Sequence, residues 1–376
     1  MSEEATEVKR GLAGVTADTT AVSVIDEGTG TLLYRGYPVP DLATSCSFEE
    51  VAYLIWHGEL PNTVQLQAFT ATERSQREVG SDLLGPLSNL PTTCHPMDVL
   101  RTAVSFLGAY DTNEDDTSAG SELEKSLDLW AKLPTVVAAE QRRRRGLPPI
   151  PPDPSLSFAE NFFQMCSGTV PDEDVVRCFE ISLILYAEHG FNASTFTARV
   201  ITSTLSDLYS AVTGAIGALK GPLHGGANEA VMDLFTKVKA PAEVDEWLSN
   251  TLASGGKVMG FGHRVYKHGD SRVPTMRVAL ERLAGRSDEG RQLMAVYAHL
   301  ERAMKDTKGL YPNLDYPTGP AYYLMGFDIP TFTPIFVMSR VTGWTAHVIE
   351  QRAQNALIRP LSAYVGQALR ALPETR

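Results

Sequence analysis

Three residues with acid–base chemistry lie in short glycine- or proline-rich runs of this 376-residue chain. His224 lies in Gly-Pro-Leu-His-Gly-Gly-Ala-Asn, His263 in Gly-Phe-Gly-His-Arg-Val-Tyr, and Asp315 in Pro-Asn-Leu-Asp. A histidine at the start of a helix tends to stay neutral, and a neutral imidazole can donate a hydrogen bond to a developing oxyanion. Glycines let backbone approach a ligand, and we expect Asp315 to lie in a loop as an exposed general base.

Arginines supply the second part of a candidate site. The formal net charge is -12, which argues against a nucleic-acid binder and means that an anionic substrate needs a local cluster of cations. Arg272, Arg340 and Arg359 are candidates, together with His189 in Tyr-Ala-Glu-His-Gly-Phe-Asn. A single such residue is more often structural, or one half of an ordinary salt bridge. The combination of imidazoles, carboxylate and guanidinium groups is what favours a site for an anionic ligand.

Two other classes of protein compete with this interpretation. A metal-dependent hydrolase would use His189, His224, His263, His268 and Asp315. The chain has no HExxH or similar short ligand spacing, and nearby arginines repel a cation, so we expect no metal site. A helical interaction scaffold would need no such residues grouped in glycine turns.

The pattern of apolar residues predicts a predominantly helical fold. Ser47 and Glu50 form a capping box before an apolar helical face. Segment 196–219 has apolar residues at helical spacing with glycines between them, which fits a buried core helix or a subunit contact equally well. Strand signals are confined to Thr20–Ile25 and Thr31–Tyr34, which predict one small N-terminal hairpin. Strands and helices do not alternate regularly, so a parallel sheet is disfavoured.

Loops, charges and cysteines complete the description. Segments 111–121 and 146–155 are predicted loops, and the run Arg142–Arg145 before the second is interpreted as the solvated C-terminus of a helix. The four cysteines are widely spaced without a CxxC pair, which predicts reduced thiols. The acidic N-terminus lacks an apolar signal core, and no apolar run approaches the roughly 18 residues of a membrane span. A cytoplasmic enzyme is the expectation.

The order of these motifs resembles the citrate synthase family. The resemblance runs through the Gly-Pro-Leu-His, Gly-Phe-Gly-His, Asp-Ser-Arg and Pro-Asn-Leu-Asp runs and covers nearly the whole chain, from Leu33 to Pro360. The runs Gly-Trp-Thr-Ala-His and Asn-Ala-Leu-Ile-Arg-Pro are similar to the shorter bacterial branch that includes 2-methylcitrate synthases. The fold implied is all-α with two domains: residues 1–220 and 326–376 form the large domain, and residues 221–325 a small one that closes over the substrates.

The resemblance also implies the reaction and the role of each site residue. His224 and Asp315 would flank an acyl-CoA, and His263 would face the carbonyl of oxaloacetate. The implied oxaloacetate-binding residues are Arg74, His189, Arg272, Arg340 and Arg359, the last from the partner subunit of a homodimer. The implied CoA-binding residues are Lys257, Val258, Met259, Gly260 and Phe261. The acyl-CoA is a substrate, and no further cofactor is implied.

The acyl group is the open point within the family. The resemblance favours propionyl-CoA, which gives 2-methylcitrate, and acetyl-CoA, which gives citrate, is the alternative. The two differ by one methylene, which a hydrophobic pocket discriminates by only about 1–3 kcal/mol, so we expect both to react. Tyr316, Pro317 and Thr318, directly after the predicted base, are candidate pocket residues.

Overall fold

The fold is described by a computed structural model that covers residues 8–266 and 269–372, except the side chain of Asp233. Its only sheet in this part of the chain is small, antiparallel and N-terminal, with strands β1 (Ser23–Ile25), β2 (Leu32–Tyr34) and β3 (Tyr37–Pro38). The predicted hairpin is therefore confirmed, and β3 adds a third strand beside β2.

Ten helices follow the sheet, and one long helix comes near the C-terminus. The first ten are α1 (Val39–Ser45), α2 (Phe48–His57), α3 (Thr63–Gln76), α4 (Ser81–Ser88), α5 (Pro96–Tyr110), α6 (Ala119–Arg144), α7 (Phe158–Ser167), α8 (Glu173–Tyr186), α9 (Ala193–Ser203) and α10 (Leu208–Leu219). The last helix, Phe332–Ala353, is numbered α16 below. It is buried along most of its length and packs against α6, α9 and α10. α16 is therefore the central helix around which α6, α9 and α10 pack.

Five α-helices are described between residues 221 and 325, the segment that the family resemblance assigns to a small domain. They are α11 (Ala227–Lys237), α12 (Val244–Ala253), α13 (Val273–Ala284), α14 (Asp288–Lys308) and α15 (Asp315–Leu324). Within this group α15 packs against α11 and α13, while α13 also packs against α8. The described helices include none that is long and apolar enough to cross a membrane.

Local sequence signals explain where α2 begins and ends. The capping box before α2 is confirmed: Ser47 Oγ accepts from the Glu50 N–H at 3.2 Å, and the Glu50 carboxylate accepts from the Ser47 N–H at 2.7 Å. Gly58 then ends the helix with a φ of 89°, a left-handed conformation that glycine adopts readily.

The continuous helix predicted over residues 196–219 is wrong. The chain breaks between α9 and α10, where Leu205 has a φ of 70° and Asp207 caps α10 by accepting from the Ser210 N–H. The apolar spacing runs through the break because Leu205 is itself apolar. The prediction of close helix packing is confirmed at Gly214, where an added Cβ would lie 2.3 Å from Ile201 Cδ1 of α9.

The arginine run does end a helix, as predicted, but of its four residues only Arg145 is exposed to solvent. Arg142 is buried and donates to the carbonyl of Cys166. Arg143 and Arg144 both pair with Glu140, at 2.7 and 2.6 Å. Cations there complement the negative end of the helix, and the same side chains also donate to neighbouring carbonyls. The predicted loop at 146–155 is confirmed, whereas the loop at 111–121 is shorter than predicted, because α6 begins at Ala119.

Candidate active site

A cleft of about 1330 Å³ gathers most of the predicted site residues. Its walls come from the end of α8, from α16, from the turn before α11 and from the segment before α15. The predicted residues that line it are His189, His224, Lys257, Val258, Met259, Gly260, Phe261, His263, Arg272, Asp315 and Arg340. The three candidate catalytic groups, far apart in the chain, therefore share one cavity.

His224 lies in the turn before α11, as predicted, and we assign its tautomer from its contacts with Ser194. The Ser194 backbone N–H donates to His224 Nε2 at 3.3 Å, and Ser194 Oγ lies 2.8 Å from the same nitrogen. A backbone N–H can only donate, so Nε2 is the unprotonated nitrogen and Nδ1 carries the hydrogen. Burial, with Arg340 nearby, lowers the pKa of His224 to about 3. The imidazole is therefore a neutral donor.

His263 has the opposite tautomer. Its Nδ1 accepts from the backbone N–H groups of Val265 at 3.1 Å and Tyr266 at 3.4 Å, so Nε2 carries the hydrogen. Burial, with Arg272 nearby, lowers the pKa of His263 to about 4. The cleft therefore contains two neutral imidazoles, and the N–H of each has no hydrogen-bond partner among the described residues and is available to a substrate oxygen.

Asp315 is the first residue of α15 and is largely buried, so the prediction of an exposed base in a loop is wrong. Its own N–H donates to Asn313 Oδ1 at 3.1 Å, and its Oδ1 accepts from Tyr186 Oη at 2.6 Å. Burial raises the pKa of Asp315 to about 6, although the Tyr186 hydrogen bond opposes the shift. A carboxylate with this pKa is ionised at neutral pH and is more basic than an ordinary aspartate.

Two buried arginines face the same cleft in different states. Arg272 is paired bidentately with Asp270, at 2.9 and 2.7 Å. Arg340 donates through Nε to the carbonyl of Tyr186 at 2.6 Å and has no carboxylate within ion-pair distance in the described part of the chain. Burial lowers the pKa of Arg340 to about 10, so the guanidinium is charged at neutral pH. A buried cation without a carboxylate is suited to bind an anionic ligand.

His189 lies between the two arginines and His263. Its ring centroid is 4.9 Å from that of His263, and its Nε2 is 3.2 Å from Tyr266 Oη. Burial, Arg272 and His263 lower the pKa of His189 well below its usual value, so this imidazole is also neutral. It can hydrogen-bond an anion without adding a charge.

The predicted CoA segment forms a glycine loop that is tied to the segment before Asp315. The Asn313 N–H donates to the Gly260 carbonyl at 2.9 Å, and Phe261 and Pro312 form an isolated antiparallel bridge. Gly260 has a φ of 86°, and an added Cβ would lie 2.7 Å from Val231 Cγ2. Only glycine fits at this position.

Arg74 and Arg359 do not line this cleft. Arg74 lies on α3, where its buried Nε has no hydrogen-bond partner within the described residues. Arg359 is exposed in the extended segment that follows α16. His268, a ligand of the rival metal site, lies outside the described residues, and within them no group of three or more His, Cys, Asp or Glu side chains is placed to hold a metal ion.

Sequence reasoning gave no role to Tyr186, Ser194 and Tyr266, which contact the candidate catalytic and binding groups. Ser194 also accepts from Trp344 Nε1 at 3.0 Å, so its position depends on α16. The only signal in the sequence was proximity, because Tyr186 and Ser194 lie in or just after the run that contains His189.

Comparisons with known proteins show the family of this chain. The family model described as the citrate synthase C-terminal domain matches residues 11–361. A 2-methylcitrate synthase of Mycobacterium tuberculosis is 60% identical over 373 residues, covering 99% of this chain and 94% of the relative. A citrate synthase of Mycolicibacterium smegmatis is 59% identical over 369 residues, covering 98% of each chain. A citrate synthase of Thermoplasma acidophilum, solved as a ternary complex with carboxymethyl coenzyme A and oxaloacetate, has a TM-score of 0.93 at 34% identity and covers 98% of this chain and 99% of that one.

The chain belongs to the citrate synthase family. The expected all-α fold of that family is confirmed by the structure and by these solved relatives. The similar proteins from Mycobacterium tuberculosis and Mycolicibacterium smegmatis carry the names 2-methylcitrate synthase and citrate synthase, and both names denote acyltransferases.

Proposed function

We propose that this enzyme condenses an acyl-CoA, propionyl-CoA in preference to acetyl-CoA, with oxaloacetate and then hydrolyses the thioester. The observation that carries the proposal is the meeting of three groups in one cleft: two neutral imidazoles with defined tautomers and one carboxylate whose pKa is raised to about 6. A base and two uncharged donors are the set that enolate chemistry requires.

The first step transfers a proton from the acyl-CoA to Asp315. The thioester α-proton has a pKa of roughly 20 and Asp315 one of about 6, a gap of roughly 19 kcal/mol at about 1.36 kcal/mol per unit. The carboxylate cannot close this gap alone, so the enolate oxygen must be stabilised while it forms. His224 supplies its Nδ1–H for that purpose.

The second step forms the carbon–carbon bond. The enolate carbon attacks the ketone carbon of oxaloacetate, and the electron pair of the C=O bond moves to oxygen. His263 donates its Nε2 hydrogen to that oxygen, and the proton that Asp315 took from the acyl-CoA then replaces it on the ring, which restores both residues. Water then attacks the thioester carbonyl, CoA leaves as the thiol, and 2-methylcitrate or citrate remains.

Oxaloacetate binding is assigned to the cationic side of the cleft. Arg340 and Arg272 would pair with the two carboxylates, and His189 would donate a hydrogen bond. Arg74 stays an expectation from the family resemblance, because its side chain lies away from this cleft. Closure of a small domain formed by residues 221–325 would remove water and strengthen these contacts.

A homodimer would bring Arg359 to the cleft of the partner subunit. The segment after α16 is extended and almost wholly exposed, and it carries apolar side chains that a single chain leaves uncovered. Leu361, Val365 and Leu369 are each more than 90% exposed. A second copy of the chain would cover this surface and place Arg359 beside a substrate carboxylate.

The acyl preference is supported by the relatives that carry the name 2-methylcitrate synthase. The predicted pocket residues Tyr316, Pro317 and Thr318 are buried and do not line the cleft. Leu314 and Phe336 line it instead, beside Asp315 and His224. We place the acyl group against these two side chains. The cytoplasmic location stays an expectation from the sequence.

The test is thiol release from propionyl-CoA and acetyl-CoA, with and without oxaloacetate. We expect release to require oxaloacetate, and kcat/KM to be higher for propionyl-CoA by about ten-fold or more. Equal release without oxaloacetate would point to a simple thioesterase. A preference for acetyl-CoA would establish the alternative, a citrate synthase in the strict sense. Full activity after dialysis against a chelator would separate both from a metal-dependent hydrolase.

A further inference from the structure

A completely buried carboxylate lies behind the cleft and has no part in the chemistry described above. Glu188 has 0% exposure and does not line the cavity. Its Oε1 accepts from Ser23 Oγ at 3.0 Å and from His347 Nε2 at 2.9 Å. Its Oε2 has no hydrogen-bond partner in the described part of the chain. A buried acceptor without a partner is costly, which makes a purely structural role a poor explanation.

The surroundings of Glu188 keep it ionised. The Arg199 guanidinium lies 3.1 Å from His347 Nδ1, and because a guanidinium can only donate, Nδ1 accepts and the ring hydrogen is on Nε2. Both contacts to Glu188 Oε1 are therefore donated hydrogen bonds. Burial by itself raises the pKa of Glu188, but the contacts with His347 and Ser23 and the nearby charge of Arg340 together outweigh it, and the pKa lies below its usual value.

The carboxylate packs against the same helix that carries Arg340. Arg340, Gly343 and His347 follow one another at intervals of three and four residues, which places them on one face of α16. Gly343 leaves the space that the Glu188 carboxylate occupies on this face, because a Cβ at position 343 would lie 2.2 Å from Glu188 Oε2. Arg340 lies about 5 Å from Gly343 along the helix axis, and its Nε contacts the Tyr186 carbonyl two residues before Glu188.

We propose that Glu188 is the internal counter-charge of Arg340, a positioning residue that weakens the binding of anionic substrate and product so that the product can leave. The inference rests on the proposed function, because it takes Arg340 as a ligand of the oxaloacetate carboxylate. Without a bound anion, Glu188 is the negative charge that balances Arg340. A bound carboxylate is repelled by Glu188, and because the site is buried, water and salt screen this repulsion only weakly.

The Glu188→Gln substitution tests the proposal, because it removes the charge and keeps the shape and the two accepted hydrogen bonds. We expect the Kd for oxaloacetate, measured by titration calorimetry, to fall about ten-fold. The inhibition constant of 2-methylcitrate should fall by a similar factor, and kcat should fall because product release slows. The matched control is Glu350→Gln, which removes a carboxylate from the other side of His347, remote from Arg340. It should leave all three constants within about two-fold.

A purely structural role for Glu188 predicts the opposite sign. Loss of packing around Arg340 would raise the Kd for oxaloacetate, and an unchanged or raised Kd in folded Glu188→Gln overturns the inference. If Glu188→Gln does not fold, the double variant Glu188→Gln with His347→Glu moves the negative charge toward Arg199. We expect the same decrease in the Kd for oxaloacetate in this double variant. Arg340→Leu separates the two claims. If it does not weaken oxaloacetate binding, the proposed function fails; if it does and the Glu188 variants bind no tighter, only this inference fails.

Discussion

Tyr186 Oη donates a hydrogen bond of 2.6 Å to Asp315 Oδ1, and it joins the end of α8 to the start of α15. A hydrogen bond to the charged form of a carboxyl group lowers its pKa, while burial raises it. Burial outweighs this hydrogen bond, and with smaller contributions from Arg272, Asp270 and Arg340 the pKa of Asp315 is about 6. The base is thus strong enough to take a proton and still ionised near neutral pH.

Tyr186→Phe should therefore shift the pH dependence of the reaction. Asp315 must be ionised to act, so activity is lost as the pH falls through its pKa. Loss of the hydrogen bond raises this pKa, and we expect the acid limb of kcat/KM to move up by about one pH unit. The measurement is thiol release between pH 5 and pH 9. Tyr323→Phe, which removes a hydroxyl that contacts exposed Glu289, is the control and should leave the limb in place.

Asp315→Asn should abolish turnover and spare oxaloacetate binding. The amide keeps the shape and can still accept from Tyr186, but it cannot take the α-proton. We expect kcat to fall about a thousand-fold, while calorimetry gives a Kd for oxaloacetate within a few-fold of the wild type. A variant with near-normal turnover would remove Asp315 from the role of base.

Arg340→Leu should act mainly on affinity. The buried guanidinium has no carboxylate partner of its own in the described chain, so its removal deletes a charge-assisted contact to the substrate. We expect the Kd for oxaloacetate to rise about thirty-fold or more. Arg145→Leu is the control, because it breaks a half-exposed pair with Asp328 that has little energetic weight. Equal affinities in the two variants would contradict the assignment of Arg340.

Gly260→Ala should affect both stability and CoA binding. The new Cβ meets Val231 and Tyr316 at 2.7 and 3.1 Å, and the φ of 86° is unfavourable for alanine. We expect a loss of about 2–4 kcal/mol in denaturant unfolding and a raised KM for acyl-CoA. Gly30→Ala has a similar φ of 69° but no atom within 4 Å, so it should show the backbone strain alone and leave the KM unchanged.

The structural role of a residue could be predicted from the sequence where that role depends on neighbouring positions in the chain. The capping box at Ser47, the glycines around His263 and the turn before α11 are each set by neighbours within a few positions. Asp315 was recognised as a candidate base from its run of residues, but its burial was missed because Tyr186 lies 129 positions away. The break at Leu205 was missed because an apolar residue in a turn continues the spacing of a helix.

Hydrogen-bond partners that lie far apart in the sequence were the hardest feature to predict. Nothing near Arg142 in the sequence shows that it reaches the carbonyl of Cys166, 24 positions further on. In the same way, the tautomer of His224 depends on Ser194, 30 positions before it. Such partners are decided by which helices pack together, and the spacing of residues along one helix does not specify that.

The bridge between Phe261 and Pro312 joins the segment that carries His263 to the segment that carries Asp315. His263 lies two residues after Phe261, and Asp315 lies three residues after Pro312. Because this bridge and the hydrogen bond from the Asn313 N–H to the Gly260 carbonyl join the two segments, we expect the glycine loop and the Asp315 carboxylate to move together. In the proposed reaction, the acid His263 and the base Asp315 would then reach their substrates together, so a centre able to deprotonate without a carbon acceptor in place would be hard to reach.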